Sequence, residues 1–238
     1  MGLRFHVAAG AAPGGTIDVA PTQVILGGYS ARLVEERRRH IDELRTIGIE
    51  PPASVPAFWR VAPYLLTTGD AIQVQGDRTS AEAEFALIGA GGRTWVTVAS
   101  DQTDRELERI SIPRSKQLCP KVLGTTVVLL DEVRAGWDDI ELASDLSADG
   151  LTWSPYQRGR LADLLEPEAL LRAAGLGAEA PDGTILLSGT IPLVDGETRF
   201  LPHFRAALLV PGTDVALRIA YRVDVLAEIA PELPGAVG

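Results

Sequence analysis

Cysteine is almost absent from this chain. Cys119 is the only one in 238 residues, which excludes an intramolecular disulfide and fits a reducing compartment. Histidine is nearly as scarce, so any imidazole chemistry rests on His6, His40 or His203. No apolar run approaches the length needed to cross a bilayer. The opening residues, Met1-Gly2-Leu3-Arg4-Phe5-His6, lack a basic head followed by an apolar stretch, so no secretory signal is expected. A basic tract is missing too. With 22 basic against 32 acidic residues the net charge is −10, which disfavours nucleic acid and anionic membranes as partners. The expectation is a cytoplasmic protein.

What is present suits one folded unit. The hydrophobic set makes up 46% of the chain, enough for one sizeable core at this length. Glycine (24) and proline (16) are spread throughout, which favours β structure with many turns over a helical bundle. The pattern predicts strands at Leu3–Val7, Thr16–Ala20, Thr22–Leu26, Ala71–Val74, Thr125–Asp131 and Asp139–Ser144. Three more follow at Thr184–Ile191, Phe204–Val210 and Val215–Leu226. The last two read as strands buried on both faces, because Val, Leu, Ile and Ala are nearly continuous there. A helix is expected over Ala31–Ile47, ended by Gly48 and Pro51-Pro52, with two short helices at Arg158–Leu165 and Pro167–Ala174. The fold class is therefore mixed, β-rich α+β. A single domain over residues 1–238 is the simplest organisation.

The chemistry concentrates in a predicted hairpin. Glu82 and Glu84 are two residues apart in the run Ser80–Ile88, so in a strand both carboxylates face one side. Gly89-Ala90-Gly91-Gly92 suits a reversal, and Arg93–Val98 reads as the returning strand. Folding about residues 90 to 91 brings Asp101 back beside Ser80 to Glu82. Three carboxylates gathered there repel one another unless protons or a cation neutralise them, and a hard divalent ion such as Mg²⁺ or Mn²⁺ suits oxygen ligands. Register matters here. If Glu82 pairs with Ser100, Asp101 points away, so the metal reading requires a register one residue different or Asp101 just beyond the strand end. The competing reading is an ordinary solvated Glu-x-Glu face.

Further segments occur in a telling order. His40-Ile41-Asp42-Glu43 precedes Pro56-Ala57-Phe58-Trp59-Arg60, then Glu82-Ala83-Glu84, then Asp101-Gln102-Thr103-Asp104-Arg105-Glu106-Leu107. Ser115-Lys116-Gln117-Leu118-Cys119-Pro120 and Ser188-Gly189-Thr190-Ile191-Pro192 complete the series. Together these resemble the fumarylacetoacetate hydrolase superfamily over residues 27 to 192. The resemblance implies a mixed β-roll core over residues 51–238. Residues 1–50 would then supply N-terminal strands and a helix bearing His40 and Glu43.

By resemblance, Glu82, Glu84 and Asp101 are the ligands of one Mg²⁺ or Mn²⁺. Lys116 is the active-site lysine, whose ammonium would stabilise an enolate or oxyanion. His40, oriented by Glu43 on the same helix face, would move a proton or activate water. Arg105, Gly189, Thr190 and Arg60 are the expected substrate-binding residues. The chain departs from the family in shorter stretches between Glu84 and Asp101 and between Asp101 and Lys116, in a longer and more basic helix before His40, and in Arg60 where lysine is frequent. These point to a divergent branch.

The function so implied is metal-dependent hydrolysis of a C–C bond in a 2-oxo or 1,3-dicarbonyl carboxylic acid. Decarboxylation of a β-oxo acid and keto–enol isomerisation are alternatives that share an enolate. A non-catalytic metal- or carboxylate-binding protein is another, and a β-rich interaction module a third. A small carboxylic acid and a second copy of the chain, as a homodimer, are the expected partners.

Overall fold

Gly91 and Gly92 both hold positive φ, 63° and 67°, a conformation that glycine adopts without a Cβ clash. They close a two-residue hairpin in which Ala90 pairs with Arg93 and Ala83 with Ser100. The turn thus centres one residue later than the sequence suggests, and the register shifts with it. In this computed structural model residues 2–8, 15–33, 35, 54–211, 213 and 215–227 are described.

In chain order the first strands are β1 (Leu3–Val7), β2 (Thr16–Val19), β3 (Gln23–Gly28), β4 (Ala57–Val61), β5 (Leu66–Thr67) and β6 (Ala71–Gln75). Next come β7 (Thr79–Ser80), β8 (Ala83–Ala90), β9 (Arg93–Asp101), β10 (Thr103–Asp104), β11 (Lys121–Leu123) and β12 (Thr126–Leu129). The last are β13 (Glu141–Ser147), β14 (Ser154–Arg160), β15 (Thr184–Leu187), β16 (His203–Leu209) and β17 (Ala216–Leu226). A curled mixed sheet runs β2-β1-β12-β9-β8-β15-β3-β4, with β11 joining β9 to β5. A second sheet runs β14-β13-β16-β17-β6.

Two apolar cores form on the two faces of the curled sheet. Phe85, Leu87, Val96 and Val98 pack against Leu142, Phe204, Leu217 and Tyr221 of the second sheet. On the opposite face Ala86, Ile88, Ala99, Leu187 and Leu26 join Phe5 and Leu123. Because β8 and β9 are covered on both sides, they are buried almost end to end. The fold is therefore β-rich with a few short helices, as the composition implied.

Three expectations fail. Arg158–Leu165 is not a helix: residues to Arg160 belong to β14, paired antiparallel with β13, and only Leu161–Asp163 makes a 3₁₀ turn. Pairing overrode local propensity, and Gly159 lies there because a Cβ would come within 3.0 Å of Ile191. β16 and β17 are not buried on both faces; buried and exposed residues alternate along each, so their sheet turns one side to solvent. The helix expected from Ala31 does not start there, since Ala31 makes an isolated bridge to Leu164. Most of that helix, including His40 and Glu43, lies outside the described residues. A helix at Ile112–Leu118 was not foreseen.

Candidate metal centre

The hairpin register puts Glu82 directly opposite Asp101, whose N–H donates to the Glu82 carbonyl at 3.0 Å. On the other side of β9, Asp101 pairs with Lys121 of β11. Glu82, Asp101 and Lys121 therefore form one cross-strand row on a single face, with Glu84 two residues along from Glu82. Carboxylate oxygens of Glu82, Glu84 and Asp101 lie within 4.8 Å of one another. Glu84 and Asp101 are buried, and Glu82 is partly so.

Cations surround these acids. Lys116 projects from the helix Ile112–Leu118, donating to Asp101 Oδ2 and reaching Glu82 Oε2 at 3.4 Å. Lys121 Nζ is 2.7 Å from Asp101 Oδ1 and donates to the Gln102 carbonyl at 2.6 Å. Arg105 opens the helical turn Arg105–Glu108, which Asp104 caps by accepting from two backbone N–H groups. Its guanidinium meets Glu82 Oε1 at 3.1 Å and Glu108 at 2.8 Å, and donates to Ser80 Oγ at 2.7 Å.

Burial alone would raise every carboxyl here, and the outcome depends on who stands next to it. For Asp101 the charges of Lys116 and Lys121 outweigh burial and bring it down to about 2. Arg105 and Lys116 likewise hold Glu82 below the usual range against its burial. Glu84 goes the other way: burial and the Asp101 charge push it well above the ordinary value, favouring its protonated form. Arg105, Lys116 and Lys121 thus stand against Glu82, Asp101 and Glu108. The donor set fits a hard divalent cation: three convergent carboxylates whose mutual repulsion a cation would relieve.

The second sheet holds the acid-bearing strands from behind. Ser100 and Gln102 alternate to the other face, where the Tyr221 hydroxyl lies 2.8 Å from Ser100 Oγ and donates to Gln102 Oε1 at 2.8 Å. Gln157 of β14 accepts from the Ala83 N–H at 2.9 Å and donates to Thr190 Oγ1 and the Ile191 carbonyl, each at 2.7 Å. These buried bonds fix β8 where the ligands emerge.

Gly189 follows β15 with φ 91°, and its N–H donates to Glu84 Oε2 at 2.8 Å. A Cβ there would meet Ser30 Oγ at 2.4 Å, so the position requires glycine. The Thr190 hydroxyl donates to the Ala83 carbonyl at 2.8 Å and thus secures the start of β8. Arg60 is not brought to the site. Trp59 shares the face of Glu84 through the pairs Leu26–Trp59 and Leu187–Leu26, so the next residue, Arg60, points to the opposite face and is exposed.

Four neighbours were not singled out from the sequence. Lys121 is one; Trp59, Tyr29 and Glu108 are the others. The Trp59 ring centroid is 5.7 Å from Lys116 Nζ and 6.4 Å from the Tyr29 ring. Tyr29 holds φ 55°, a left-handed backbone that non-glycine residues rarely keep outside constrained sites. Gly28 before it lets Trp59 approach, since a Cβ would lie 2.5 Å from the indole. The signal for Tyr29 was the Gly27-Gly28 pair before it. Lys121 gave none, because its meaning depends on its place opposite Asp101.

No curated protein matches the chain. A family model described as "Protein of unknown function (DUF2848)" matches residues 27–221, most of the chain. The chain belongs to the DUF2848 family. Among solved structures, this DUF2848 protein resembles 2-keto-3-deoxy-D-arabinonate dehydratase complexed with magnesium and 2,5-dioxopentanoate. The TM-score is 0.60 at 20% identity, covering 87% of this chain and 74% of that one. It also resembles a fumarylacetoacetate hydrolase from psychrophilic Exiguobacterium antarcticum, with TM-score 0.59 at 17% identity over 90% and 82% of the two chains. A structure of Cg1458 with inhibitor gives TM-score 0.64 at 14% identity, over 87% and 78%. At these identities the likeness establishes the fold alone, one shared with that dehydratase and that fumarylacetoacetate hydrolase. Among the described residues no helix is long and apolar enough to cross a membrane.

Proposed function

We propose that this DUF2848 protein is a divalent-metal-dependent enzyme acting on a 2-oxo or 1,3-dicarbonyl carboxylic acid through an enolate. The observation that carries the reading is the convergence of Glu82, Glu84 and Asp101 with the Lys116 ammonium against two of them. Bound there, Mg²⁺ or Mn²⁺ would supply Lewis acidity toward a carboxylate and its adjacent oxo oxygen. The chain's own residues would do the rest. Lys116 meets negative charge as it develops on the substrate, in a buried place where such an interaction is strong. The Trp59 ring stands beside it, with Tyr29 next to Trp59. Arg105 and the Gly189 N–H hold Glu82 and Glu84 in place. The proton transfer is assigned to His40 with Glu43 from the sequence alone, both residues lying outside the described ones.

Hydrolysis of a C–C bond is the leading reaction, as the sequence reading has it. The fold is shared with a dehydratase as well as a hydrolase, so loss of water from a 3-deoxy-2-oxo acid is the second reading. Both pass through an enolate, as do decarboxylation and keto–enol isomerisation. A panel of acylpyruvates, oxaloacetate and 3-deoxy-2-oxo sugar acids, assayed with Mg²⁺ or Mn²⁺, separates them by product. Lys116→Ala is expected to lower kcat by about 100-fold or more. Turnover that survives that change would remove the proposed role of Lys116. A homodimer belongs to the same proposal, and light scattering of the purified chain tests it.

A further inference from the structure

Each of the three carboxylates has one oxygen already held by the protein. Glu82 Oε1 is 3.1 Å from Arg105 Nη2, Glu84 Oε2 accepts from the Gly189 N–H at 2.8 Å, and Asp101 Oδ1 is 2.7 Å from Lys121 Nζ. The other oxygens are Glu82 Oε2, Glu84 Oε1 and Asp101 Oδ2. Lys116 Nζ contacts two of these three, Glu82 Oε2 and Asp101 Oδ2. An ammonium ion therefore rests against the very oxygens left for a cation.

The holding donors are fixed in a way that Lys116 is not. Gly189 donates from the backbone, in a loop packed against Ser30. Arg105 is braced by Ser80 and Glu108. Lys121 is fully buried and also bound to the Gln102 carbonyl. Lys116 binds carboxylates that a cation would claim, and the Trp59 ring at 5.7 Å offers its ammonium another face. A carboxylate with one oxygen held by a fixed donor turns the other oxygen toward a metal, and two-oxygen binding then competes with that donor. That geometry matters because Ca²⁺ takes six to eight oxygens and commonly binds carboxylates through both, whereas Mg²⁺ takes six in an octahedron and keeps several waters.

We propose that Arg105, the Gly189 N–H and Lys121 act as clamps restricting Glu82, Glu84 and Asp101 to one oxygen each, so that the site selects Mg²⁺ or Mn²⁺ over Ca²⁺, and that Lys116 is the counter-ion the cation displaces from Asp101. The inference rests on the metal-dependent reading and adds which cation is taken and which residues choose it. Lys121 is on this account a positioning residue. Three one-oxygen ligands would leave room on the cation for water and substrate oxygens.

Calorimetric titration of the full chain with Mg²⁺ and with Ca²⁺ tests it, comparing wild type, Lys121→Gln and Lys116→Met. Wild type is expected to bind Mg²⁺ more tightly than Ca²⁺. Freeing Asp101 Oδ1 in Lys121→Gln should narrow that preference by about tenfold. Removing the competing ammonium in Lys116→Met should tighten both cations by a similar factor and leave the preference in place. An unchanged preference in folded Lys121→Gln overturns the proposal, as does wild type that favours Ca²⁺. Should Lys121→Gln fail to fold, a crystal of wild type loaded with Mn²⁺ decides: Asp101 must bind through Oδ2 alone with Lys121 still on Oδ1, and two-oxygen binding by Asp101 overturns the clamp. Absence of any cation binding in wild type would overturn the metal reading itself, a result distinct from the loss of selectivity alone.

Discussion

Glu84 shows how far a side chain's chemistry depends on its neighbours. Glu82 and Glu84 are chemically identical, yet Arg105 and Lys116 hold the first ionised while burial beside Asp101 favours the proton on the second. Glu84→Gln copies the shape of the protonated form and retains an oxygen for the Gly189 N–H. Its unfolding free energy without metal is expected to stay within about 1 kcal/mol of wild type by urea titration, with the stabilisation by Mg²⁺ lost. A large loss of stability without metal would mean that Glu84 is ionised in the folded state. Far from this site, Asp149 accepts from the backbone N–H groups of Thr152 and Leu151 and from Ser147, which lowers its carboxyl to about 2. A depressed carboxyl contributes stability that is fully present above its unfolded value of about 3.9 and is lost as pH falls through the folded value. The titration of Asp149 followed by NMR should therefore centre near 2, and a midpoint near 4 would contradict these bonds. The sequence named the acids, Lys116 and Arg105 but not Lys121, because a lysine before Val122-Leu123 is unremarkable until a strand places Asp101 beside it.

At the scale of elements, the β8–β9 hairpin sets the site through its register. Glycines on it do two different jobs. Gly91 has nothing within 4 Å of its missing Cβ but holds φ 63°, so Gly91→Ala meets backbone strain alone and should cost about 1 kcal/mol. Gly89 lies in β8 under the Ala180–Pro181 backbone, where a Cβ would fall 2.0 Å from the Pro181 carbonyl oxygen. Gly89→Ala must move main chain and should cost about 3 kcal/mol or more, read from denaturant midpoints. Equal effects at the two positions would refute this division. The hairpin itself was legible from alternation and its glycines. Its register was not, since Gly89-Ala90-Gly91-Gly92 admits more than one centre for the turn. The end of β14, from Arg158 to Arg160, reads as the start of a helix for a related reason: Ser154–Arg160 carries little apolar pattern, and only its pairing with β13 makes it a strand.

Across the whole molecule, the second sheet supports the acids that the curled sheet carries. Gln157 and Tyr221 reach across the interface to Ala83, Thr190, Ser100 and Gln102. A cation bound at Glu82, Glu84 and Asp101 stabilises this arrangement by mass action, by about 2.7 kcal/mol at a hundred times its dissociation constant. For a chain of this length that corresponds to a rise in Tm of about 5–10 °C, reversed by EDTA. Gln157→Leu leaves the Ala83 N–H and the Ile191 carbonyl without their buried partner. It should lower Tm by several degrees and weaken Mg²⁺ binding together, although Gln157 touches none of the three acids. Unchanged Mg²⁺ affinity in a destabilised Gln157→Leu would show the two sheets to be independent.

The amino-acid sequence by itself determined the β-rich class, the placing of Glu82 and Glu84 on one strand face, and an order of motifs that resembles the fumarylacetoacetate hydrolase superfamily. Those features are local, arising from alternation, turn residues and short spacings. Tertiary structure alone decided the rest. Which residues stand opposite Asp101 and that Arg60 faces away are consequences of strand register. Register is fixed by contacts among segments far apart in the chain, so no single stretch of residues encodes it.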